Sequence, residues 1–317
     1  MSFVFLSVSF QHYWQEEKYP VTIAVFKTPL STPFYVAQSI NAFENTCVKV
    51  KFNNVIGGQV AFAKVIEGDA DFGTSSDSVI AFQSFNNQPF VTHAMFVQSD
   101  NDVKLITRSE DNINAVLALK GKKIGVTKLT ASEYFLSTLL AIDGLSVDDV
   151  ELIDYKPEQL IDSLINNEVD AIAPWEPFSF QSNQRYKDKI SIHDTKNLNT
   201  LSFNLVSLPA DLKNLEKAKC IIQGLNTAIE FIASNPKAAK EIVINELGLS
   251  PAFIEWIWPD YIFKLELNQS LLLNLNSQAA WLAETHLNFN KKQPNMNRYI
   301  DSRAMLQINP NAVNIRP

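Results

Sequence analysis

Glycine is scarce in this chain, with nine in 317 residues. They build neither a Gly-rich phosphate-cradling loop nor a dinucleotide fingerprint, which removes the commonest nucleotide-binding signatures. Cysteine is scarcer. Cys47 and Cys220 are too few for a disulfide framework and stand at no metal-ligand spacing, so they are expected as two separate buried thiols. His12, His93, His193 and His286 are scattered, with no H-x-x-x-H pair, and no metal or cofactor is expected. Basic runs are missing too. The formal charge is −7 and spread along the chain, so no Lys and Arg cluster can neutralise phosphates, and nucleic acid is not an expected partner. No segment reaches the roughly 20 apolar residues that span a bilayer. Met1–Phe10 has the apolar length of a signal-peptide core but lacks a basic start, an A-x-A cleavage site and a lipid-accepting Cys; residues 1–19 read as a leader or an atypical signal remnant.

Apolar residues make up 46% of the chain and charged residues 19%, the balance of a soluble globular protein long enough for two cores. The chain also says nearly the same thing twice. Ile23-Ala-Val-Phe-Lys27 is echoed by Ile124-Gly-Val-Thr-Lys128, and Ile66-Glu-Gly-Asp-Ala-Asp71 by Ile165-Asn-Asn-Glu-Val-Asp170. Six residues beyond each closing Asp stands another acid, Asp77 and Glu176. Around each echo, short β-branched runs alternate with helical patterns, the signature of an α/β fold with parallel crossovers. The expected architecture is two lobes, each a mostly parallel sheet flanked by helices. The first comprises residues 20–107 plus 203–317 and is discontinuous; the second comprises residues 108–202. Val103–Thr107 is expected as a strand of the first lobe. From Leu215 onward the pattern is helical and is expected to pack back on the first lobe. Two chain crossings form a hinge.

Ligands on open α/β sheets bind beyond the carboxyl ends of the strands, so the loops there hold the candidates. They are Lys27, Thr28, Ser31 and Thr32; Ser75, Ser76 and Asp77; Lys128, Thr130, Ser132 and Glu133; and Trp175 and Glu176. Helix N-termini opening from such loops favour an anionic or strongly accepting group, and the hydroxyls either donate to it or simply cap the helices. Trp175, set between Pro174 and Pro177, serves either as a ligand wall or as packing. The acids either cap and pair with lysines, or receive the amino end of a solute. Catalysis has little support. Gly73-Thr-Ser-Ser-Asp77 lacks the second Gly of a nucleophile elbow, no His lies near the candidate loops, and nothing fixes the spacing of Asp77 and Glu176.

The ordered set Pro33-Phe-Tyr-Val-Ala-Gln38, Gly58-Gln59, Gly68-Asp-Ala-Asp-Phe-Gly73 with Ser75-Ser-Asp77, Leu119-Lys-Gly-Lys-Lys-Ile-Gly125, Gly144-Leu-Ser-Val-Asp-Asp-Val150 and Val169-Asp-Ala-Ile-Ala-Pro-Trp-Glu-Pro177 resembles the substrate-binding proteins of ABC importers for nitrate, sulfonates, taurine and thiamine-precursor pyrimidines. The resemblance runs from about Val21 to about Leu287, most of the chain. It implies a periplasmic-binding-protein fold of the second type, a monomer that captures a small polar organic solute (sulfonate, taurine-like or amino-bearing) and hands it to a membrane permease, in the periplasm or at the cell surface. Relatives that bind thiamine-precursor pyrimidines, biosynthetic enzymes on the same fold and ligand-sensing modules are the alternatives it leaves.

Overall fold

The computed structural model describes residues 18–86, 88–209, 212–286 and 292–315. The expected leader at 1–19 falls almost wholly on residues 1–17, outside the described residues. Two mixed sheets carry the molecule. The larger has six strands, β1 (Tyr19–Phe26), β2 (Val48–Val55), β3 (Phe72–Ser76), β4 (Val91–Ser99), β10 (Leu201–Ser207) and β11 (Tyr261–Glu266). The smaller has five, β5 (Ile106–Arg108), β6 (Lys123–Val126), β7 (Glu151–Asp154), β8 (Ala171–Ile172) and β9 (Ile190–Ile192). Strand order is β2-β1-β3-β10-β4-β11 in one and β7-β6-β8-β5-β9 in the other. In each, three parallel strands are followed by an antiparallel strand and then by a strand antiparallel to that one. The repeat in the sequence is therefore a repeat of topology, with β11 added at one edge.

Helices α1 (Thr32–Ser39), α2 (Gly58–Ile66), α3 (Asp77–Gln83), α4 (Ala131–Ile142), α5 (Leu160–Ile165) and α6 (Phe178–Tyr186) join the strands; α7 (Leu212–Ser234), α8 (Pro236–Leu247), α9 (Pro251–Ile257), α10 (Gln269–Thr285) and α11 (Arg303–Ile308) form the tail. Among the described residues no helix is long and apolar enough to cross a membrane. On β1, Ile23 and Val25 enter the main core with Phe34 of α1 and Ile221 and Leu225 of α7, all fully buried. Each such side chain contributes about 1.5–3 kcal/mol. The opposite face is built from small residues. Ala24 meets Ala61 and Val65 of α2, and a Cβ on Gly73 of β3 would come within 2.9 Å of the Ala61 carbonyl oxygen. In the smaller sheet Gly125 takes the same role: a Cβ there would come within 3.2 Å of Leu160 of α5. The echoed Ala24 and Gly125 are small because a helix lies directly on each.

The echoed acids Asp71 and Asp170 pin the same spot in both sheets. The Asp71 carboxylate accepts the Thr22 N–H at 2.8 Å, and that of Asp170 accepts the Lys123 N–H at 2.9 Å. Asp71 holds the middle of β1 and Asp170 the first residue of β6.

Three expectations are corrected. The strand near Val103–Thr107 is β5, and it belongs to the smaller sheet, so the chain changes sheets between Ser99 and Ile106 and returns between Ile192 and Leu201. An apolar run reveals a buried strand but not which sheet buries it. The tail is not wholly helical: Tyr261 and Leu265 are buried in β11, which pairs with β4. Cys47 and Cys220 are joined in a disulfide, with Cα atoms 5.7 Å apart across 173 residues of sequence. Cys47 stands just before β2, on which α7 packs, and Cys220 is carried there by α7. Sequence separation carried no trace of that proximity.

Candidate functional site

The carboxyl ends of the parallel strands open on a cavity of about 230 Å³ between the two units. The six-stranded unit contributes Phe26 at the end of β1, Thr28 and Leu30 after it, Gly57, Gly58 and Gln59 at the start of α2, Ser76, Ser78 and Val79 at the start of α3, and Leu201 and Phe203 on β10. The five-stranded unit contributes Leu129, Thr130 and Ala131 at the start of α4, and Trp175 and Glu176 after β8. Asp102, on the segment linking the sheets, completes the lining.

The helix starts differ in one respect that matters chemically. Ser76 caps α3 by accepting the Val79 N–H at 3.3 Å, and Thr130 caps α4 by accepting the Ser132 N–H at 3.2 Å. Thr28 accepts the Leu30 N–H in the turn before α1. The cap of α2 is Gly57, with φ +106°, and it has no side chain to serve the first-turn N–H groups. Gly57, Gly58 and Gln59 line the cavity there, so the positive end of the helix adjoins it, an anion-accepting arrangement.

Acids occupy another part of the lining. One Glu176 oxygen accepts from Lys104 Nζ at 3.0 Å and from Trp256 Nε1 at 2.7 Å, while the other accepts the Phe180 N–H at 3.0 Å. Its charge is therefore neutralised by Lys104. Asp102 accepts from the Tyr261 hydroxyl at 2.8 Å. Burial, with the Glu176 charge beside it, pushes the Asp102 carboxyl up to about 7, against the pull of Tyr261 and Lys104. Two backbone bonds, Lys104 N–H to Pro174 O at 3.0 Å and Glu176 N–H to Asp102 O at 3.1 Å, fasten the Trp175 loop to the linking segment. Apolar rings complete the lining: Trp175, 6.1 Å from Phe178, and Phe203, 6.0 Å from Phe26.

Of the residues singled out from the sequence, Thr28, Ser76, Thr130, Trp175 and Glu176 line the cavity. The structure places the others elsewhere. Lys27 and Lys128 are exposed beside it. Ser31 and Ser75 are fully buried, with hydroxyls that have no partner among the described residues. Thr32 donates to Pro29 O at 2.5 Å and Ser132 to Ala173 O at 2.6 Å. Glu133 accepts the Leu129 N–H at 2.7 Å and sits 3.5 Å from His286. Asp77 accepts from the backbone N–H groups of Ser78 and Ser202 and from Asn274 Nδ2, and burial raises it to about 7. Bonds to the chain, several from remote parts of the sequence, claim Thr32, Ser132, Glu133 and Asp77. Sequence reasoning missed Asp102, Gln59 and the apolar lining other than Trp175. Asp102 lies just beyond β4, which runs the same way as β3 because both pair antiparallel with β10, but the loop after β4 was not among the candidates; Gly57-Gly58 before a helix was the available signal for α2. A wider hollow of about 400 Å³ lies beyond Ser202, lined by Tyr134 and Asn274 and by no charged side chain among the described residues.

A family model described as NMT1/THI5 like matches residues 28–239, which include every cavity-lining residue but Phe26. A Brucella abortus protein named only as a binding protein is 23% identical over 155 residues, 46% of this chain and 47% of the relative. A Bacillus subtilis protein named for binding aliphatic sulfonates is 27% identical over 220 residues, 68% of this chain and 65% of the relative. The chain thus spans about half the length of the first relative and about two thirds of the second. Among solved structures, the periplasmic aliphatic sulphonate binding protein SsuA of Escherichia coli superposes with a TM-score of 0.75 at 18% identity, over 89% of this chain and 92% of that one. The alkanesulfonate-binding SsuA of Xanthomonas axonopodis pv. citri, bound to MOPS, gives 0.71 at 17% identity, over 90% and 99%. At such identities these likenesses establish the fold, that of the periplasmic binding proteins. With a model matching more than half its length, the chain belongs to the NMT1/THI5-like family.

Proposed function

We propose that this protein is the solute-binding component of an ABC importer, and that its cavity takes a small organic acid of the sulfonate kind whose other end donates hydrogen bonds. One observation carries the reading: an uncapped helix start, a pair of carboxylates and apolar walls line the same cavity. The acid head receives the first-turn N–H groups of α2 and the hydroxyls of Thr28, Ser76 and Ser78. Asp102 and Glu176 receive the donor. Both units contribute to the lining, which supports their acting as lobes that close on the solute, hinged at the two segments between the sheets. The sulfonate-binding relatives support a membrane permease as the partner. The disulfide supports a place outside the reducing cytoplasm, in the periplasm or at the cell surface.

Thermal shift followed by calorimetry tests the reading with taurine, longer aminoalkanesulfonates, unsubstituted alkanesulfonates, an aminopyrimidine and nitrate. Aminoalkanesulfonates are expected to raise the midpoint most and nitrate least. A response to the pyrimidine alone would transfer the site to the thiamine-precursor branch.

A further inference from the structure

Glu176 lines the cavity from the five-stranded unit, yet its carboxylate is held from the six-stranded one. Trp256 of α9, which is not part of the cavity lining, donates its indole N–H to Glu176 Oε1 at 2.7 Å. The Glu176 side chain is only 2% exposed, and Lys104, its counter-charge, sits 5.8 Å from the centroid of the Trp256 ring. Around this bond the rings of the two units interlock: Phe180 of α6 lies 5.1 Å from Phe253 and 5.9 Å from Trp256. Separating the units leaves Glu176 with Lys104 and the Phe180 N–H but removes the indole.

We propose that Trp256 is a positioning residue for solute binding: its bond to Glu176 latches the two units and holds that carboxylate in place at the cavity, so a side chain that never touches the solute sets part of the affinity. The inference rests on the cavity being the solute site. Its physical basis is the strength of a hydrogen bond to a charged, water-excluded acceptor. A bond present in the closed form and absent in the open one shifts the population between them, and apparent affinity follows the closed fraction. Because the latch acts after encounter, it governs release more than capture.

The test compares two conservative variants. Trp256→Phe keeps a ring against Phe180 and Phe253 and deletes the donor. Trp281→Phe is the matched control: Trp281 of α10 joins the units by a second ring contact, 5.3 Å from Tyr134, but its indole nitrogen has no hydrogen-bond partner among the described residues. Stopped-flow binding of taurine, or of the tightest sulfonate in the panel, is expected to show release about tenfold faster in Trp256→Phe, with the association rate and the ligand-free melting point little changed. Trp281→Phe is expected to release the solute like the parent. Small-angle scattering of the ligand-free proteins is expected to show a larger radius of gyration for Trp256→Phe alone. Equal losses in both variants would assign the effect to ring volume, and unchanged release and radius in Trp256→Phe would remove the latch. If no sulfonate binds the parent protein, the functional reading fails while the ligand-free scattering still decides the latch.

Discussion

Asp102 and Asp77 are carboxyls that burial raises to about 7, from an ordinary value near 4. The folded chain therefore binds these protons more tightly than the unfolded chain does. Their contribution to stability is fully present below about pH 4 and is lost as pH rises through about 7. Urea midpoints measured across that window are expected to fall with rising pH, and Asp102→Asn is expected to flatten the fall. An amino-bearing solute has the opposite preference, since it needs Asp102 ionised; its affinity is expected to rise as pH passes 7. At the far wall, Trp175→Ala is expected to weaken solute binding by about 1–3 kcal/mol with little change in melting point. A lowered midpoint with full affinity would mark Trp175 as packing. At this scale the sequence was partly legible. Trp175 and Glu176 could be found because a short buried strand ends just before them. Asp77 could not be told from Glu176, although both follow the echoed Asp by the same count. The direction of a side chain depends on what arrives opposite, here Ser202 and Asn274 from remote parts of the chain.

Helix α2 owes its place to the absence of side chains beneath it. Gly73→Ala would drive a methyl to 2.9 Å from the Ala61 carbonyl oxygen and from Val65, and is expected to destabilise the protein by about 1–3 kcal/mol in urea titration. Because α2 carries the uncapped start that faces the cavity, the same variant is expected to weaken solute binding without touching a lining residue. Elements of this kind were the most legible part of the chain. Strand, helix and strand around each echo showed in the hydrophobic periods, and Pro236 and Pro251 marked the starts of α8 and α9. β11 was hidden because its alternation, Tyr261, Phe263 and Leu265, is brief and lies between helices. β5 showed as a strand, but its sheet did not, because strand pairing is decided by partners far along the chain.

Across the whole molecule, the Cys47–Cys220 bridge ties the start of β2 to α7 and encloses the entire five-stranded unit in its loop. Cys47→Ser with Cys220→Ser is expected to cost about 2–5 kcal/mol, and mass analysis of the non-reduced protein checks that the bond forms. The strand order carries a further consequence, for the growing chain. β3 and β4 follow one another in sequence, but they are not neighbours in the sheet, because β10 lies between them. On the ribosome, the five-stranded unit has all its strands once Ile192 has emerged, although it begins second. The unit that begins first must wait with an empty slot and two unpaired strand edges until residues 201–207 are made. Such edges are templates for wrong pairing, so a chain stalled or cut before Leu201 carries one finished unit and one that invites aggregation.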